Sequence, residues 1–257
     1  MKGNSMKLGD IDVARIGLGT NRLTKTSENV AFVKAALAAG VQMIDTAYSY
    51  TGGQSEETIG AALSPIPEGC IVATKGGGGG TGQGHPDVLR AEIEESLRRL
   101  GTDSIALYYL HRVDPETRLE DSLAAIKEYH DRGKIRLVGI SQVVTDQIER
   151  ARQVLPIAAV QNHYNLSERK YDAVVDYCAG EHIVFVPFFP LHGDGGGALA
   201  EIAHRHRATM RQITLAWLLR RSPTMLPIPG TLSLEHLKEN VAALNIELTD
   251  AEFETLR

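Results

Sequence analysis

The feature that most constrains the fold is a joint between helix and strand that recurs along the chain. Four segments with helical periodicity end in glycine, and a short apolar segment begins within a few residues of each. The glycines are Gly40, Gly101, Gly133 and Gly180, and the segments after them are Val41–Asp45, Ile105–Leu110, Ile135–Ile140 and Ile183–Pro187. Because glycine tolerates the left-handed conformation that ends a helix, each joint predicts a helix that turns back at once into a strand.

The apolar segments predict eight short strands, each followed by a helical pattern. They are apolar on both faces, which is typical of parallel strands covered by helices. The strands are expected at about 14–18, 42–45, 70–74, 105–110, 136–140, 157–161, 183–187 and 225–228. Eight strand–helix units in 257 residues, with no linker between them, predict an α/β fold, a (β/α)8 TIM barrel, as a single domain over residues 1–257. Thr249 and Glu252 form a capping-box pattern that predicts a last short helix.

An open, doubly wound sheet is the competing architecture. If it bound a dinucleotide, a glycine-rich turn such as GxGxxG would follow the first strand. The segment Gly17-Leu18-Gly19-Thr20-Asn21-Arg22 lacks the third glycine, and no helix is predicted to begin there. The run Gly76–Gly80 follows a strand but lacks the Gly-Lys-Ser/Thr that closes a phosphate loop. We interpret this run, and the run 193–197, as flexible loops.

Composition and charge exclude several classes of protein. The net charge of −5 requires no basic face, so we expect no nucleic-acid partner. Residues 1–10 have no apolar core of signal-peptide length, and no apolar run approaches the ~18 residues of a membrane span. Cys70 and Cys178 lie in apolar segments without a CxxC partner, which predicts buried thiols in a reducing compartment. We therefore expect a cytoplasmic protein with no membrane partner.

The carboxyl ends of the predicted strands carry polar and ionisable residues, where a barrel of this kind builds its active site. Asp45 and Tyr50 follow the second strand, Lys75 follows the third, and His111 follows the fourth. The remaining strand ends, from the fifth to the eighth, carry Ser141 and Gln142, then Gln161 and Asn162, then Phe188 and Phe189, and finally Gly230 and Thr231.

The residues at the second to fourth strand ends form a coherent set for proton transfer. A nearby ammonium stabilises a phenolate, and a carboxylate keeps a partly buried lysine charged. Asp45, Lys75 and Tyr50 therefore predict a tuned proton donor, while a neutral His111 could orient a carbonyl oxygen. Such a set suits carbonyl reduction, which also needs a hydride. No side chain supplies a hydride, so a nicotinamide cofactor is required.

Each of these residues also has a purely structural interpretation. A strand-end aspartate often caps a turn, a lysine after a strand is commonly solvated, and a lone histidine is commonly a core or surface residue. Their occurrence on successive strand ends favours a functional site. Metal-dependent barrel hydrolases also carry histidine and aspartate at strand ends, but no HxH follows the first strand, so we expect no metal.

At these residues the sequence resembles the aldo-keto reductase superfamily, and the resemblance covers nearly the whole chain. The matching segments are Gly17-Leu18-Gly19-Thr20, Asp45-Thr46-Ala47-Tyr48-Ser49-Tyr50 with Ser55-Glu56-Glu57, Thr74-Lys75, Tyr108-Tyr109-Leu110-His111, Gly139-Ile140-Ser141, Val160-Gln161-Asn162, and Ile228-Pro229-Gly230-Thr231 with His236-Leu237 and Glu239-Asn240. None of these segments alone would be sufficient, but together they are specific.

The resemblance implies a (β/α)8 barrel that binds NADP(H) across its mouth. It implies a catalytic tetrad of Asp45, Tyr50, Lys75 and His111, with Tyr50 as the general acid. Tyr48 is the neighbouring alternative, but the five-residue step from Asp45 matches Tyr50. The implied cofactor contacts are Gly19, Thr20 and Asp45, then Ser141, Gln142 and Gln161 at the nicotinamide carboxamide, Phe188 stacked on the ring with Pro190 and Leu191 beside it, and Gly230, Thr231, His236, Glu239 and Asn240 at the adenosine end.

Three positions depart from the family pattern. Gln142 stands where asparagine is usual, so its longer amide would need an adjusted geometry. Many members carry a lysine at the position of Gly230 and an arginine at that of His236, where both pair with the 2′-phosphate. Neither residue here is a permanent cation, and NAD(H) is therefore an alternative cofactor.

We expect a monomeric, NADP(H)-dependent oxidoreductase that reduces the carbonyl of a small-molecule aldehyde or ketone. The alternative is an NADP(H)-binding regulatory or redox-sensing protein with little turnover. The intact tetrad favours the enzyme.

Overall fold

The computed structural model describes residues 3–193 and 196–257. The chain begins with an antiparallel hairpin of β1, Ser5–Leu8, and β2, Ile11–Ala14. A parallel sheet of seven strands follows, in chain order: β3 Leu18–Gly19, β4 Met43–Asp45, β5 Ile71–Gly76, β6 Ile105–Leu110, β7 Ile135–Ser141, β8 Ala159–His163 and β9 Val184–Phe188. The seven strands curl into a nearly closed barrel.

The segment 225–230 closes the barrel between its first and last strands. Met225 forms a bridge with Phe185 of β9, and Gly230 forms one with Gly19 of β3. The eighth strand expected at 225–228 is therefore not a regular strand, and the segment 225–230 pairs with its neighbours through two isolated bridges. Pro227 and Pro229 lack the N–H that a continuous ladder requires, which explains the difference.

The expected first strand at 14–18 was wrong in its position. Residues Ile11–Ala14 belong to the hairpin, and the first barrel strand is only Leu18–Gly19. The hairpin itself was not predicted from the sequence. Its Leu8 and Val13 pack with the residues that fill the barrel interior, including Met43 and Leu107, so the hairpin closes one end of the barrel.

Helices cover the outside of the barrel after each strand position. They are α1 Ser27–Ala38, α2 Gln54–Leu63, α3 Pro86–Leu100, α4 Leu119–Asp131, α5 Thr145–Arg152, α6 Asp172–Gly180, α7 Gly196–His206, α8 Met210–Arg221, α9 Leu234–Ala242 and α10 Asp250–Thr255. The predicted capping box is confirmed: Thr249 Oγ1 accepts from the backbone N–H of Glu252 at 3.3 Å, at the start of α10. None of the described helices combines the length and apolar composition needed to cross a membrane.

The four predicted joints between helix and strand are confirmed, and at three of them the glycine is left-handed as expected. Gly40, Gly101 and Gly133 adopt φ values of 93°, 61° and 73°. At the fourth joint α6 ends at Gly180 and β9 begins at Val184, as expected, but the left-handed residue is His182, with φ of 56°, and not the glycine. Gly196 and Gly197 open α7, so the glycine run at 193–197 is helical at its end, while positions 194 and 195 lie outside the described residues.

The alternation of β5 explains how a charged side chain enters the interior. Ile71 and Ala73 pack with the residues inside the barrel, whereas Val72 packs in the layer between sheet and helices. Because side chains alternate along a strand, Lys75 shares the inward face with Ile71 and Ala73. It lies one residue before the end of β5, where the apolar interior gives way to the mouth of the barrel.

Candidate active site

A buried ion pair occupies the carboxyl end of β4 and β5. Lys75 Nζ donates to Asp45 Oδ1 at 2.6 Å, and the two side chains are 0% and 2% exposed. The same ammonium donates to the backbone carbonyl of Thr46 at 2.7 Å and contacts the Tyr50 hydroxyl at 3.4 Å. All three ammonium protons therefore have oxygen partners, and one partner is the phenol.

The surroundings keep Lys75 charged. Burial alone would lower its pKa, but the Asp45 carboxylate and the Tyr50 oxygen outweigh that effect, and the pKa of Lys75 is raised. The carboxylate is held in turn by a second donor, Gln161 Nε2, at 2.7 Å from Asp45 Oδ2. Lys75 is thus fully buried rather than half-buried as the sequence suggested, and its charge depends on Asp45.

A left-handed turn directs Tyr50 toward the mouth of the barrel. Thr51, Gly52 and Gly53 have φ values of 50°, 66° and 93°, and this turn leads from Tyr50 into α2. Lys75 Nζ lies 4.8 Å from the centroid of the Tyr50 ring. Tyr48 is oriented differently: the Arg99 guanidinium lies 4.5 Å from its ring centroid, and Tyr48 does not line the cavity at the barrel mouth.

His111 faces Tyr50 from the end of β6. The two rings meet edge to face with centroids 5.9 Å apart. Burial, followed by the charges of Lys75 and Arg112, lowers the pKa of His111 to about 3. The imidazole is therefore neutral at physiological pH and keeps one N–H for donation. Gly78, within the glycine run, lies against this ring, and a Cβ there would meet His111 Nδ1.

These side chains border a cavity of about 620 Å³ at the mouth of the barrel. The predicted site residues that line it are Asp45, Tyr50, His111, Gly19, Thr20, Ser141, Gln142, Gln161, Phe188, Pro190, Leu191 and Gly230. Lys75 lies behind Asp45 and Tyr50. The predicted adenosine contacts Thr231, His236, Glu239 and Asn240 lie outside this cavity, on and before α9.

The polar residues at the ends of β7 and β8 have distinct hydrogen-bonding states. Gln161 uses its Nε2 on Asp45, which directs the amide. Gln142 has a left-handed φ of 58°, and its Oε1 accepts from the Tyr171 hydroxyl at 3.1 Å. The Ser141 hydroxyl has no hydrogen-bond partner in the described part of the chain. The Asn162 side chain has a structural role. Its Oδ1 accepts from the backbone N–H of Val143, and its Nδ2 donates to the backbone carbonyl of the same residue.

An aromatic wall forms one side of the cavity. The Phe188 ring stacks on His163 with centroids 5.3 Å apart, and the Phe189 ring stacks on His192 at 4.7 Å. Phe189 is 43% exposed. Neither histidine of this wall was given a role from the sequence. His163 ends β8 and Phe188 ends β9, and a contact between two strands leaves no pattern along the chain, whereas His192 and Phe189 lie in one loop.

The residues predicted to contact the adenosine differ in their exposure. His236 is exposed in the first turn of α9, where its backbone N–H is capped by Ser233 Oγ at 3.3 Å. Asn240 is 1% exposed, and its Oδ1 has no partner among the described residues. A buried amide oxygen without a partner is costly, so this atom points to a group that the protein itself does not supply.

Two further residues beside the site were missed as functional candidates. Arg112 lines the cavity immediately after His111, a position that the strand-end argument could have included. Arg99 of α3 reaches across to donate to the backbone carbonyl of Tyr48 at 2.9 Å and to Glu56 at 3.2 Å. No cluster of three or more His, Cys, Asp or Glu side chains suited to a metal occurs within residues 3–193 and 196–257.

Comparisons with known proteins agree with this architecture. A family model described as the Aldo/keto reductase family matches residues 15–196 and 194–257. An uncharacterized oxidoreductase of Schizosaccharomyces pombe is 39% identical over an alignment 277 residues long. The alignment covers 99% of this chain and 89% of the relative. Pyridoxine 4-dehydrogenase of Escherichia coli is 34% identical, with 100% of this chain and 98% of the relative covered.

Solved structures show the same relationship. A thermostable aldo-keto reductase in complex with the inhibitor epalrestat is 32% identical, with a TM-score of 0.91 and 98% of both chains covered. An aldo/keto reductase from Klebsiella pneumoniae in complex with NADP and acetate is 28% identical, with a TM-score of 0.85 over 95% of this chain and 90% of that one. Fold, family model and relatives agree, and the chain therefore belongs to the aldo/keto reductase family and is an oxidoreductase.

Proposed function

We propose that this protein reduces the carbonyl of an aldehyde or ketone to an alcohol with NADP(H), and that Tyr50 donates the proton. The observation that carries the proposal is the chain of contacts from Asp45 through the buried Lys75 ammonium to the Tyr50 hydroxyl. It ends at a cavity that Tyr50 and a neutral His111 both line. These contacts support an arrangement in which one carbonyl oxygen meets both a proton donor, Tyr50, and a hydrogen-bond donor, His111.

The charge distribution suits transfer of a proton from the phenol. When Tyr50 gives up its proton, a negative charge develops on an oxygen that lies 3.4 Å from the Lys75 ammonium. The ammonium is already in place and buried, so its stabilisation of the phenolate needs little reorganisation. His111 keeps its single N–H for the carbonyl oxygen, because a neutral imidazole does not compete with Tyr50 as an acid.

The residues at the cavity fit a nicotinamide cofactor. Gln161 is directed by Asp45, and the Ser141 hydroxyl lacks a partner in the described residues, so both are available to a carboxamide. Phe188 and Phe189 provide aromatic faces, and the orphaned Asn240 oxygen lies on α9. When bound, the cofactor supplies the hydride that no side chain can provide. We propose Gly19, Thr20, Ser141, Gln142, Gln161, Phe188, Pro190, Leu191, Gly230, Thr231, His236, Glu239 and Asn240 as the residues that hold it.

Relatives support NADP(H) as the cofactor. An aldo-keto reductase of Schizosaccharomyces pombe that is 31% identical carries NADP(+) in its name, and Klebsiella pneumoniae structures that are 28% identical contain NADP or NADPH. In many family members an arginine at the position of His236 pairs with the 2′-phosphate, and His236 is exposed here. Steady-state KM values for NADPH and NADH, measured on the same aldehyde, test this preference directly, and equal values would contradict it.

The experiment that tests the mechanism compares two neighbouring tyrosines. Tyr50→Phe removes the hydroxyl at the cavity, and we expect kcat for an aldehyde to fall by about 10²–10⁴-fold. The dissociation constant of NADPH, measured by fluorescence titration, should change by less than about twofold, because the hydroxyl is not among the proposed cofactor contacts. Tyr48→Phe is the matched control, since Tyr48 lies under Arg99 and outside the cavity.

The outcomes separate the alternatives. Wild-type turnover by Tyr50→Phe, or a loss of turnover confined to Tyr48→Phe, would overturn the assignment of the proton donor. Tight NADPH binding by the wild-type protein without turnover of any aldehyde in a broad panel would instead support the regulatory or redox-sensing protein.

A further inference from the structure

The cavity is positively charged although the chain as a whole carries a net charge of −5. In the described part of the chain its lining contains two guanidiniums, Arg22 and Arg112, and one carboxylate, Asp45. Asp45 is already neutralised by Lys75 at 2.6 Å. Arg22 and Arg112 are exposed, and neither forms a hydrogen bond or an ion pair with any residue in 3–193 or 196–257. Two cations therefore face the cavity without an internal partner.

The two arginines follow strands that lie three positions apart around the barrel. The strands run in chain order around the barrel, with the closing segment 225–230 between β9 and β3. Arg112 follows β6, which is four positions from the closing segment in a ring of eight. Arg22 follows β3, which is the direct neighbour of the closing segment. The proposed cofactor contacts lie mainly on β7 to β9, the closing segment and β3, so Arg22 is on the cofactor side.

Arg112 lies instead on the side of the reacting groups. It adjoins His111 in the chain, and it lines the cavity together with Gly79 from the loop after β5. Its guanidinium is close enough to His111 to contribute, after burial and Lys75, to the lowering of the histidine pKa to about 3. A guanidinium presents a rigid fork of donors that matches the two oxygens of a carboxylate or phosphate. Such a group beside a reaction centre selects for an anion.

We propose that Arg112 binds the anionic group of the carbonyl substrate, a carboxylate or a phosphate, so that the enzyme prefers anionic aldehydes to neutral ones. This inference rests on the carbonyl reduction proposed for Tyr50. The substrate would place its carbonyl oxygen between Tyr50 and His111 and its anionic oxygens at Arg112.

The test uses three aldehydes that have the same benzaldehyde ring and differ in the charge of its substituent. They are 4-carboxybenzaldehyde, 4-formylphenyl phosphate and the neutral methyl 4-formylbenzoate. For each protein we would measure kcat/KM with saturating NADPH, and the ratio of each anionic aldehyde to the ester is the readout. The carboxylate and phosphate arms show which anion Arg112 prefers, because each is compared with the same neutral ester.

Arg112→Met should lower the ratio for the preferred anion about tenfold, mainly through KM, because one charge-assisted contact at an exposed site is lost. Arg112→Lys keeps the charge without the fork and should retain part of the preference. Arg22→Met removes the other guanidinium of the cavity and is the matched control. It should leave the ratio within about twofold, because Arg22 lies on the cofactor side.

Three results would overturn the proposal. The first is an unchanged ratio in Arg112→Met. The second is an equal loss on charged and neutral aldehydes together with weaker NADPH binding, which would place Arg112 on the cofactor. The third is an equal fall in the ratio of anionic aldehyde to ester in Arg22→Met and Arg112→Met. That result would indicate a general electrostatic attraction by the cavity rather than a direct contact with Arg112.

A binding measurement separates this proposal from the proposed function. The alcohols 4-(hydroxymethyl)benzoate and its methyl ester can be titrated into the complex with NADPH, in which no hydride transfer to an alcohol can occur. If the wild-type protein turned over none of the aldehydes, the proposed reduction would fail. The proposal for Arg112 would still stand if 4-(hydroxymethyl)benzoate bound about tenfold more tightly than its methyl ester to the wild type, and if this difference were lost in Arg112→Met. Any other result would overturn the proposal.

Discussion

Replacing Lys75 by methionine tests whether the site depends on a buried ion pair. Methionine is close to lysine in length and lacks the ammonium, so the packing is largely kept. The substitution removes the hydrogen bond of 2.6 Å to Asp45, the bond of 2.7 Å to Thr46 and the contact with Tyr50. Asp45 then stays buried with Gln161 as its remaining side-chain donor. We expect the free energy of unfolding to fall by about 3–5 kcal/mol near neutral pH, as for other buried pairs that lose one partner.

The loss should depend on pH with a defined sign. Burial raises the pKa of Asp45, and in the wild type Lys75 opposes that effect most strongly. Without Lys75 the folded-state pKa lies well above the unfolded value of ~3.9. A carboxyl that is raised in the folded state contributes stability below the unfolded pKa and loses it as the pH rises through the folded pKa. The difference between wild type and Lys75→Met should therefore be small near pH 4 and grow toward pH 8.

Urea unfolding followed by tryptophan fluorescence measures this difference. The chain has one tryptophan, Trp217, which is 0% exposed and therefore reports the loss of the core. Urea titrations at pH 5, 6, 7 and 8 would give the free energy of unfolding of each variant. The midpoint of thermal unfolding should fall by roughly 6–20 °C at neutral pH, at about 2–4 °C per kcal/mol for a chain of this size.

A double variant provides the control. Asp45→Asn together with Lys75→Met removes both charges, so no uncompensated carboxylate remains in the interior. At pH 8 it should be more stable than Lys75→Met alone, and its stability relative to the wild type should vary less with pH. An equal loss for Lys75→Met at pH 5 and pH 8, or a double variant less stable than the single one, would refute the reasoning.

Two further substitutions test the groups around this pair. Burial lowers the pKa of His111 to about 3, so the unfolded chain takes up a proton below about pH 6.5 that the folded chain refuses, and stability falls with decreasing pH. His111→Gln should flatten that decline in urea melts between pH 4 and 7, and an unchanged slope would contradict it. Arg99→Met leaves the fully buried Glu56 without its cation and should cost about 3 kcal/mol. Arg98→Met, in an exposed pair, should cost much less, and equal thermal shifts would show that the bridge to Glu56 contributes nothing.

The barrel was predictable because its signals are local. Helical periodicity, glycine joints and short apolar runs all lie within windows of a few residues, and β6 was placed at its observed bounds, Ile105–Leu110. The convergence of Asp45, Lys75 and His111 also followed from the sequence, because the carboxyl ends of parallel strands meet at one edge. Family, fold and oxidoreductase class are now established by the comparisons. The roles of the individual residues stay predictions.

What the sequence could not show depends on contacts between distant parts of the chain. The hairpin Ser5–Ala14 covers one end of the barrel by packing against residues of strands that lie far along the sequence. Tyr48 packs under Arg99, which arrives from α3 about fifty residues later, whereas Tyr50 lines the cavity. The tyrosines lie two residues apart in a short loop, so their spacing alone does not decide which one faces the cavity.

The site uses one buried environment to produce opposite protonation states in two bases. Lys75 stays charged because burial is outweighed by Asp45, whereas His111 is neutral because burial is reinforced by the charge of Lys75 itself. The two states are therefore linked. Without the carboxylate of Asp45, burial would act on Lys75 with less opposition, its charge would weaken, and its effect on the pKa of His111 would weaken with it. In the proposed mechanism Asp45 would thus control the ammonium that faces the Tyr50 hydroxyl, and would also help to keep His111 a hydrogen-bond donor rather than a second acid.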